Sequence, residues 1–272
     1  MAAEAKSPKE AVDRVAKRVK ELAKDYEPPT YEEVPTADAA LFLSAIDHQT
    51  GFKEEHEVDG EGPYEGSALL WSLGLRAEKR APGALTARSL LKVNPAAISA
   101  VFRVGQDQIQ EPEARADLWD DLSRGLLERY DGDAGQLIAA TNSRLGGDDG
   151  LLKHLGGFKA FSDPLQKKSF LVAKIWERRG WFEALDPENW QVCADNVLMR
   201  LALRSGLVEQ GNVEEVREAT RDAFKQVAEA AKISPPVLDD LLWEKGRDDP
   251  DLIGDDAGDL QEPPRKPGGF FY

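Results

Sequence analysis

Apolar residues recur along this chain at intervals of three and four, and strand-like alternation is nearly absent, which predicts helices and little sheet. Val12, Val15, Val19 and Leu22 mark an amphipathic helix over 9–25, opened by Ser7 and Pro8. The prolines between Pro28 and Pro35 end it, and the run from Ala39 to Ile46 predicts a second helix where the core begins. The stretch from Thr50 to Gly66, rich in Gly, Glu and Pro, reads as a loop. Further helices are predicted over 67–74, 85–91, 95–102, 114–130, 134–140, 164–179, 193–205, 212–231 and 235–245. Breaks fall at Asn142 to Gly150, at Gly156-Gly157 and at Asp186-Pro187. The pattern describes an all-α chain in three parts: a helix and linker over 1–35, a helical domain over 36–247, and an acidic, proline-rich tail over 248–272. The terminal Phe270, Phe271 and Tyr272 are expected to dock on the domain, since three aromatics are costly to leave in water.

Composition narrows the class. The 272 residues are 41% hydrophobic, enough to bury a core. A net charge of -15 weighs against a surface coated in phosphate-binding lysines. The acid is unevenly placed, however. Asp248, Asp249, Asp251, Asp255, Asp256 and Asp259 crowd one stretch, whereas Lys153, Lys159, Lys167, Lys168, Lys174, Arg178 and Arg179 concentrate in another and leave room for a local basic face. No apolar run approaches the roughly 20 residues of a membrane helix, and the charged N-terminus is unlike a signal peptide. A cytoplasmic protein with no membrane partner is expected, with a monomer as the default. Cys193 is the single cysteine, which excludes an internal disulfide and a cluster of several thiolates on this chain. His48, His56 and His154 lack metal-ligand spacing, so neither a metal nor a cofactor is expected.

The chemistry concentrates in residues 151–208. Leu151 to Leu155 predicts a short helix, Gly156-Gly157 a tight turn, and Ser162-Asp163-Pro164 a helix start with Pro at the first helical position. This is a helix, a hairpin and a helix. Glycines at such a turn let backbone N–H groups approach a phosphate closely, with Lys159 beside them; a purely structural turn is the alternative. In the next helix Lys168 shares a stripe with Leu171, Val172 and Ile175, whereas Lys167 lies with Phe170, Leu171, Lys174 and Arg178. Lys168 is therefore expected to be the more buried amine. Burial and nearby cations lower a lysine's pKa, and only a neutral amine attacks carbon; an ordinary basic helix face is the competing reading. Asp195 precedes the apolar residues Val197, Leu198, Leu201 and Leu203, where it serves either as a plain N-cap or as a carboxylate beside a cationic sugar.

The segment Ala194-Asp195-Asn196-Val197-Leu198-Met199-Arg200, followed by Leu203-Arg204-Ser205-Gly206, resembles the V-D-x-x-V-x-R and R-x-G segment of the helix-hairpin-helix DNA glycosylase superfamily. Lys168-Ser169 resembles the lysine and Ser/Thr pair of its bifunctional members. The 27 residues from Lys168 to Asp195 exceed the usual gap, and in this the chain is similar to the archaeal 8-oxoguanine DNA glycosylase branch (AGOG). Asp239 and Trp243, one helical turn apart in LDDLLWEKG, match a pair in that branch. The chain departs from the pattern where Lys159 stands in a glycine-like place of the hairpin, with a longer spacing to the lysine, so Lys167 and Lys168 both stay candidates. The resemblance is confined to about 100 residues.

The resemblance implies a two-lobed helical domain with a central cleft, and an enzyme with damaged DNA as partner. It would excise an oxidised purine such as 8-oxoguanine in base excision repair and cut the strand by an AP-lyase step. Lys168 or Lys167 would form a Schiff base, with Asp195 as the acid. Gln49, Trp71, Asp239 and Trp243 would bind the base, and Gly156, Gly157 and Lys159 the DNA phosphate. A helix C-cap at His48-Gln49 and a core tryptophan at Trp71 are the competing readings of two of these. Two rival functions keep the helices: a ribosylhydrolase of free nucleosides or nucleotides of the queuosine-salvage type, which the acidic charge favours, and a non-catalytic nucleic-acid-binding module.

Overall fold

In a computed structural model, residues 9–255, 258–261 and 269 are described; the expected docking of Phe270, Phe271 and Tyr272 lies outside them. Among the described residues the regular structure is helical apart from two short hairpins. Its elements are α1 Lys9–Leu22, α2 Ala37–Ile46, β1 His56–Val58, β2 Glu61–Tyr64, α3 Gly66–Arg80, α4 Ala87–Leu90, α5 Pro95–Val101, β3 Arg103–Val104 and β4 Asp107–Gln108. They continue with α6 Pro112–Arg129, α7 Ala134–Ala140, α8 Leu151–Leu155, α9 Lys167–Arg178, α10 Asn196–Arg204, α11 Val213–Ala231 and α12 Pro235–Gly246. Two compact units emerge. The first takes its described residues from Met1–Pro29 and Glu188–Arg265, the second from Thr30–Pro187 and Lys266–Tyr272.

In the first unit the apolar face of α1, with Val12, Val15 and Val19, packs along α11 in a core that includes Leu201, Phe224 and Leu241. Arg14 and Arg18 then fasten α1 to the backbone at Ser205 (2.5 Å) and Leu252 (3.1 Å). The long helix α11 starts from a capping box, in which the Asn212 side chain accepts the Glu215 N–H and the Glu215 carboxylate accepts the Asn212 N–H.

The second unit is built around α2. Its sequence ADAALFLSAI is apolar on nearly every face, and residues Ala39 to Ile46 are all buried; such a helix is stable only when surrounded. It is enclosed by α3, α6, α7 and α9. Two indoles lock its backbone, Trp119 donating to the Phe42 carbonyl (2.7 Å) and Trp176 to that of Ala37 (3.1 Å). Thr36 caps its start by accepting the Ala39 N–H (3.1 Å).

Three expectations from the sequence are corrected. The stretch 50–66 is not wholly loop, because β1 and β2 pair antiparallel through Asp59-Gly60, both with positive φ (53° and 85°); an Asp-Gly pair is the turn that matches strand twist. The third helix runs to Arg80 rather than ending at 74, its last turns being charged; Glu78 is nevertheless buried and accepts the N–H groups of Gly83 (2.7 Å) and Leu85 (2.8 Å). The post-hairpin helix begins at Lys167 and not at Pro164. Asp163 draws the N–H groups of Leu165 and Lys167 into a turn of its own (3.1 Å each), and Gln166 takes a left-handed conformation (φ 57°) that interrupts the helical path.

Asp38 in the first turn of α2 accepts the Ala134 N–H (3.2 Å). Its pKa is raised to about 6, chiefly by burial and further by Asp133 and Glu78, against the Ala134 bond. The folded chain thus holds this proton more tightly than the unfolded one, and its contribution to stability, complete at low pH, is lost as pH rises through about 6. Asp38→Asn, which keeps an acceptor for Ala134, is expected to exceed the parent at neutral pH by on the order of 2 kcal/mol, and to lose that margin in acid. Urea unfolding on both sides of the transition measures it.

Candidate active site

In the second unit, α2 ends at Ile46 and the chain turns through Asp47, His48, Gln49 and Thr50. This turn is buried at Asp47, His48 and Thr50, and Gln49 has a positive φ of 34°. A buried turn needs donors for its carbonyls, and Arg115 on α6 supplies them. Its guanidinium, 1% exposed, donates to the carbonyls of Ile46, His48 (2.8 Å), Gln49 (3.2 Å) and Gln110 (2.8 Å). Burial lowers the Arg115 pKa to about 10, with Asp47 and Glu111 opposing, so the cation persists at neutral pH. The Asp47 carboxylate accepts from the Ser67 hydroxyl (2.8 Å) and the Trp71 indole (3.0 Å), both on α3.

Lys168 meets this turn from α9. Its side chain is 0% exposed, more deeply buried than its stripe alone implied. Its Nζ donates to the Ala45 carbonyl (2.7 Å) and lies 3.0 Å from His48 Nδ1. Burial, then the charges of Lys167 and Arg115, push the amine's pKa well below the ordinary lysine value, with Asp47 and Asp163 pulling back. The His48 imidazole is likewise driven well down, by burial and by Lys168, Arg115 and Lys167. Lys167, half-buried, opens α9 with its N–H on Asp163.

Of the residues singled out from sequence, Lys168 and Trp71 thus converge on the 45–50 turn, of which Gln49 is part, although the Trp71 N–H is engaged by Asp47. Gly156, Gly157 and Lys159 sit exposed at the hairpin after α8. Their N–H groups are engaged within the chain, with Leu152 (3.0 Å), with His154 (3.3 Å) and with the Asp121 carboxylate (2.8 Å). Arg129 on α6 lies against Gly157 and stacks 4.4 Å from the Phe158 ring.

In the first unit, α10 starts three residues later than expected, at Asn196, because Asp195 caps it: its Oδ1 accepts the N–H groups of Val197 and Leu198 (3.0 Å each). The preceding backbone is pinned on both sides. Buried Asp239 accepts the Cys193 N–H (2.7 Å), and buried Arg217 donates to the Ala194 carbonyl (3.0 Å). Trp243, one turn after Asp239 on α12, packs on the core with Arg247 over its ring at 5.5 Å.

Arg115, Asp47 and the amine-facing role of His48 escaped the sequence reading. The signal for Arg115 was present: it shares the apolar stripe of α6 with Leu118, Trp119 and Leu122, and an arginine there must be feeding buried acceptors. Among the described residues no group of three or more His, Cys, Asp or Glu could hold a metal ion, and no helix is long and apolar enough to cross a membrane.

No family model matches the chain, and no curated protein does. Among solved structures it is similar to the 8-oxoguanine DNA glycosylase from Pyrobaculum aerophilum, complexed with 8-oxoguanosine, at 19% identity and a TM-score of 0.44, over 86% of this chain and 79% of that one.

Arg115→Met takes the guanidinium from three carbonyls of the turn, those of Ile46, His48 and Gln49, and from that of Gln110, and is expected to cost about 3 kcal/mol. Asp195→Ala, which removes a half-buried cap, is expected to cost about 1 kcal/mol. Urea denaturation of the two variants, read side by side, checks the ranking.

Proposed function

We propose that the chain is a DNA glycosylase with AP-lyase activity that excises an oxidised purine such as 8-oxoguanine. The observation that carries this reading is Lys168: an amine wholly out of water, held by two acceptors, with its pKa driven well below the ordinary range. A lysine has to be neutral to attack carbon, and maintaining one buried and uncharged at neutral pH is how folds make such nucleophiles. The sequence resemblance around Asp195 supports the choice of an N-glycosidic bond as its target.

In the proposed reaction the Lys168 lone pair attacks C1′ of a flipped nucleotide. The C1′–N bond breaks with its electron pair leaving on the base, which takes up a proton. The C1′–O4′ bond then breaks with its electron pair on O4′, which takes the remaining Nζ proton as the nitrogen lone pair makes the C1′=Nζ Schiff base; loss of the C2′ proton then expels the 3′ phosphate with its electron pair. Asp195 is assigned the stabilisation of positive charge at the sugar, with proton transfer; Lys167 is the alternative nucleophile. Gln49, Trp71, Asp239 and Trp243 are the proposed base contacts. Because the N–H groups of Gly156, Gly157 and Lys159 are engaged within the chain, a phosphate at the hairpin would be met by the side chains of Lys159 and Arg129.

The net charge of -15 favours a second reading, a hydrolase of free nucleosides, in which water replaces the amine. Borohydride trapping on duplex DNA containing 8-oxoguanine separates the two. Wild type and Lys167→Gln are expected to form a covalent adduct and Lys168→Gln none, while Asp195→Asn retains its fold and loses at least about a hundredfold in rate. The adduct yield should persist well below the pH at which an ordinary lysine is protonated, falling only as pH drops through the depressed pKa. Absence of an adduct with any damaged base, together with nucleoside hydrolysis that survives Lys168→Gln, would overturn the glycosylase reading in favour of the second.

A further inference from the structure

A buried amine and a guanidinium converge on one nitrogen of a buried histidine. Lys168 Nζ lies 3.0 Å from His48 Nδ1, Arg115 Nη1 lies 3.5 Å from the same atom, and His48 is 3% exposed. A guanidinium donates and cannot accept. A proton on Nδ1 would therefore confront the guanidinium and also consume the lone pair of the lysine, so Nδ1 is the lone-pair nitrogen of this ring. Burial and the neighbouring charges of Arg115 and Lys167 keep the imidazole neutral, which puts its one proton on Nε2. Asp47, the remaining charged group at this turn, is committed to Ser67 and Trp71.

The resulting Nε2–H is a buried donor with no acceptor among the described residues. Folded chains rarely leave such an atom unpaired, and one that lies across a five-membered ring from a buried amine marks a place that another molecule completes. Resting on the glycosylase reading, we propose that His48 is a two-ended residue: Nδ1 positions the Lys168 amine, and Nε2–H donates to a hydrogen-bond acceptor of the substrate, a carbonyl oxygen or ring nitrogen of the base. Recognition of the base and orientation of the nucleophile then share one ring. A substrate lacking the acceptor binds more weakly without changing how the amine is held.

Two substitutions divide the ring's ends. His48→Asn places an amide oxygen near the Nδ1 position and nothing at Nε2, whereas His48→Gln reaches the Nε2 position with an amide and leaves Nδ1 empty. With the full chain and single-turnover cleavage of 8-oxoguanine duplex DNA, His48→Asn is expected to keep the rate at saturation and its acid limb while weakening half-saturation about tenfold. His48→Gln is expected to keep half-saturation and lose about tenfold in rate, with the acid limb displaced downward because the ammonium form has lost an acceptor. Unchanged half-saturation in His48→Asn would overturn the substrate contact.

A second readout does not depend on turnover. Nitrogen-detected NMR of the three histidines should show His48 neutral and protonated at Nε2 through mildly acidic pH, with free 8-oxoguanine shifting that nitrogen. Protonation at Nδ1, or titration as an ordinary imidazole, would overturn the proposal even in an active enzyme. An Nε2–H histidine in a chain that processes no damaged DNA would instead sink the glycosylase reading and the substrate contact with it, leaving the hold on the amine supported.

Discussion

The amine of Lys168 sits out of water between the Ala45 carbonyl and the His48 imidazole, and that placement sets the terms for the rest of the site. An ammonium ion taken from water into such surroundings loses far more hydration than two acceptors return. The amine's pKa falls accordingly. The same physics acts on His48, which is why a lysine and a histidine can share a contact that would be repulsive if both were charged.

Such an arrangement is only as good as the backbone that presents it. Ala45 lies in the last turn of α2 and His48 just beyond it, so the acceptors for the amine belong to a helix end whose own carbonyls need donors. Arg115 meets that need across 69 positions of sequence, binding Ile46, His48 and Gln49 with one side chain. Its permanent charge also stands close to Nδ1 of His48 and to Lys168, so the residue that secures the turn also helps to lower the pKa of the amine. In the first unit a comparable economy surrounds Asp195: Asp239 and Arg217 fix the backbone at Cys193 and Ala194, and Asp195 then caps α10 with both bonds at 3.0 Å.

Helices with a clean apolar stripe were legible in the sequence because burial imposes a period on them, as with Val12, Val15 and Val19 of α1. Lys168 was separable from Lys167 for the same reason, since a side chain's stripe decides its burial. Three kinds of feature were not legible. The turn through Asp163 displaced the start of α9 because a carboxylate competed with the helix for backbone N–H groups, a choice that periodicity does not register. The hairpin at Asp59-Gly60 carried a recognisable pair, but its strands are too short to show alternation. The partners of Lys168 came from segments about 120 positions earlier in the chain, and no local pattern announces a pairing of that separation. Arg115 was within reach, because its position on an apolar stripe was already anomalous.

The protonation state of Lys168 in the folded chain can be measured without any substrate. Isotope-labelled protein, with the Lys168 side-chain resonance assigned by its loss in Lys168→Gln, would be titrated by NMR while the fold is monitored. A midpoint well below the ordinary lysine value of about 10.4 is expected, with the resonance already that of a free amine at neutral pH. Titration at the ordinary value, with the chain still folded, would contradict it.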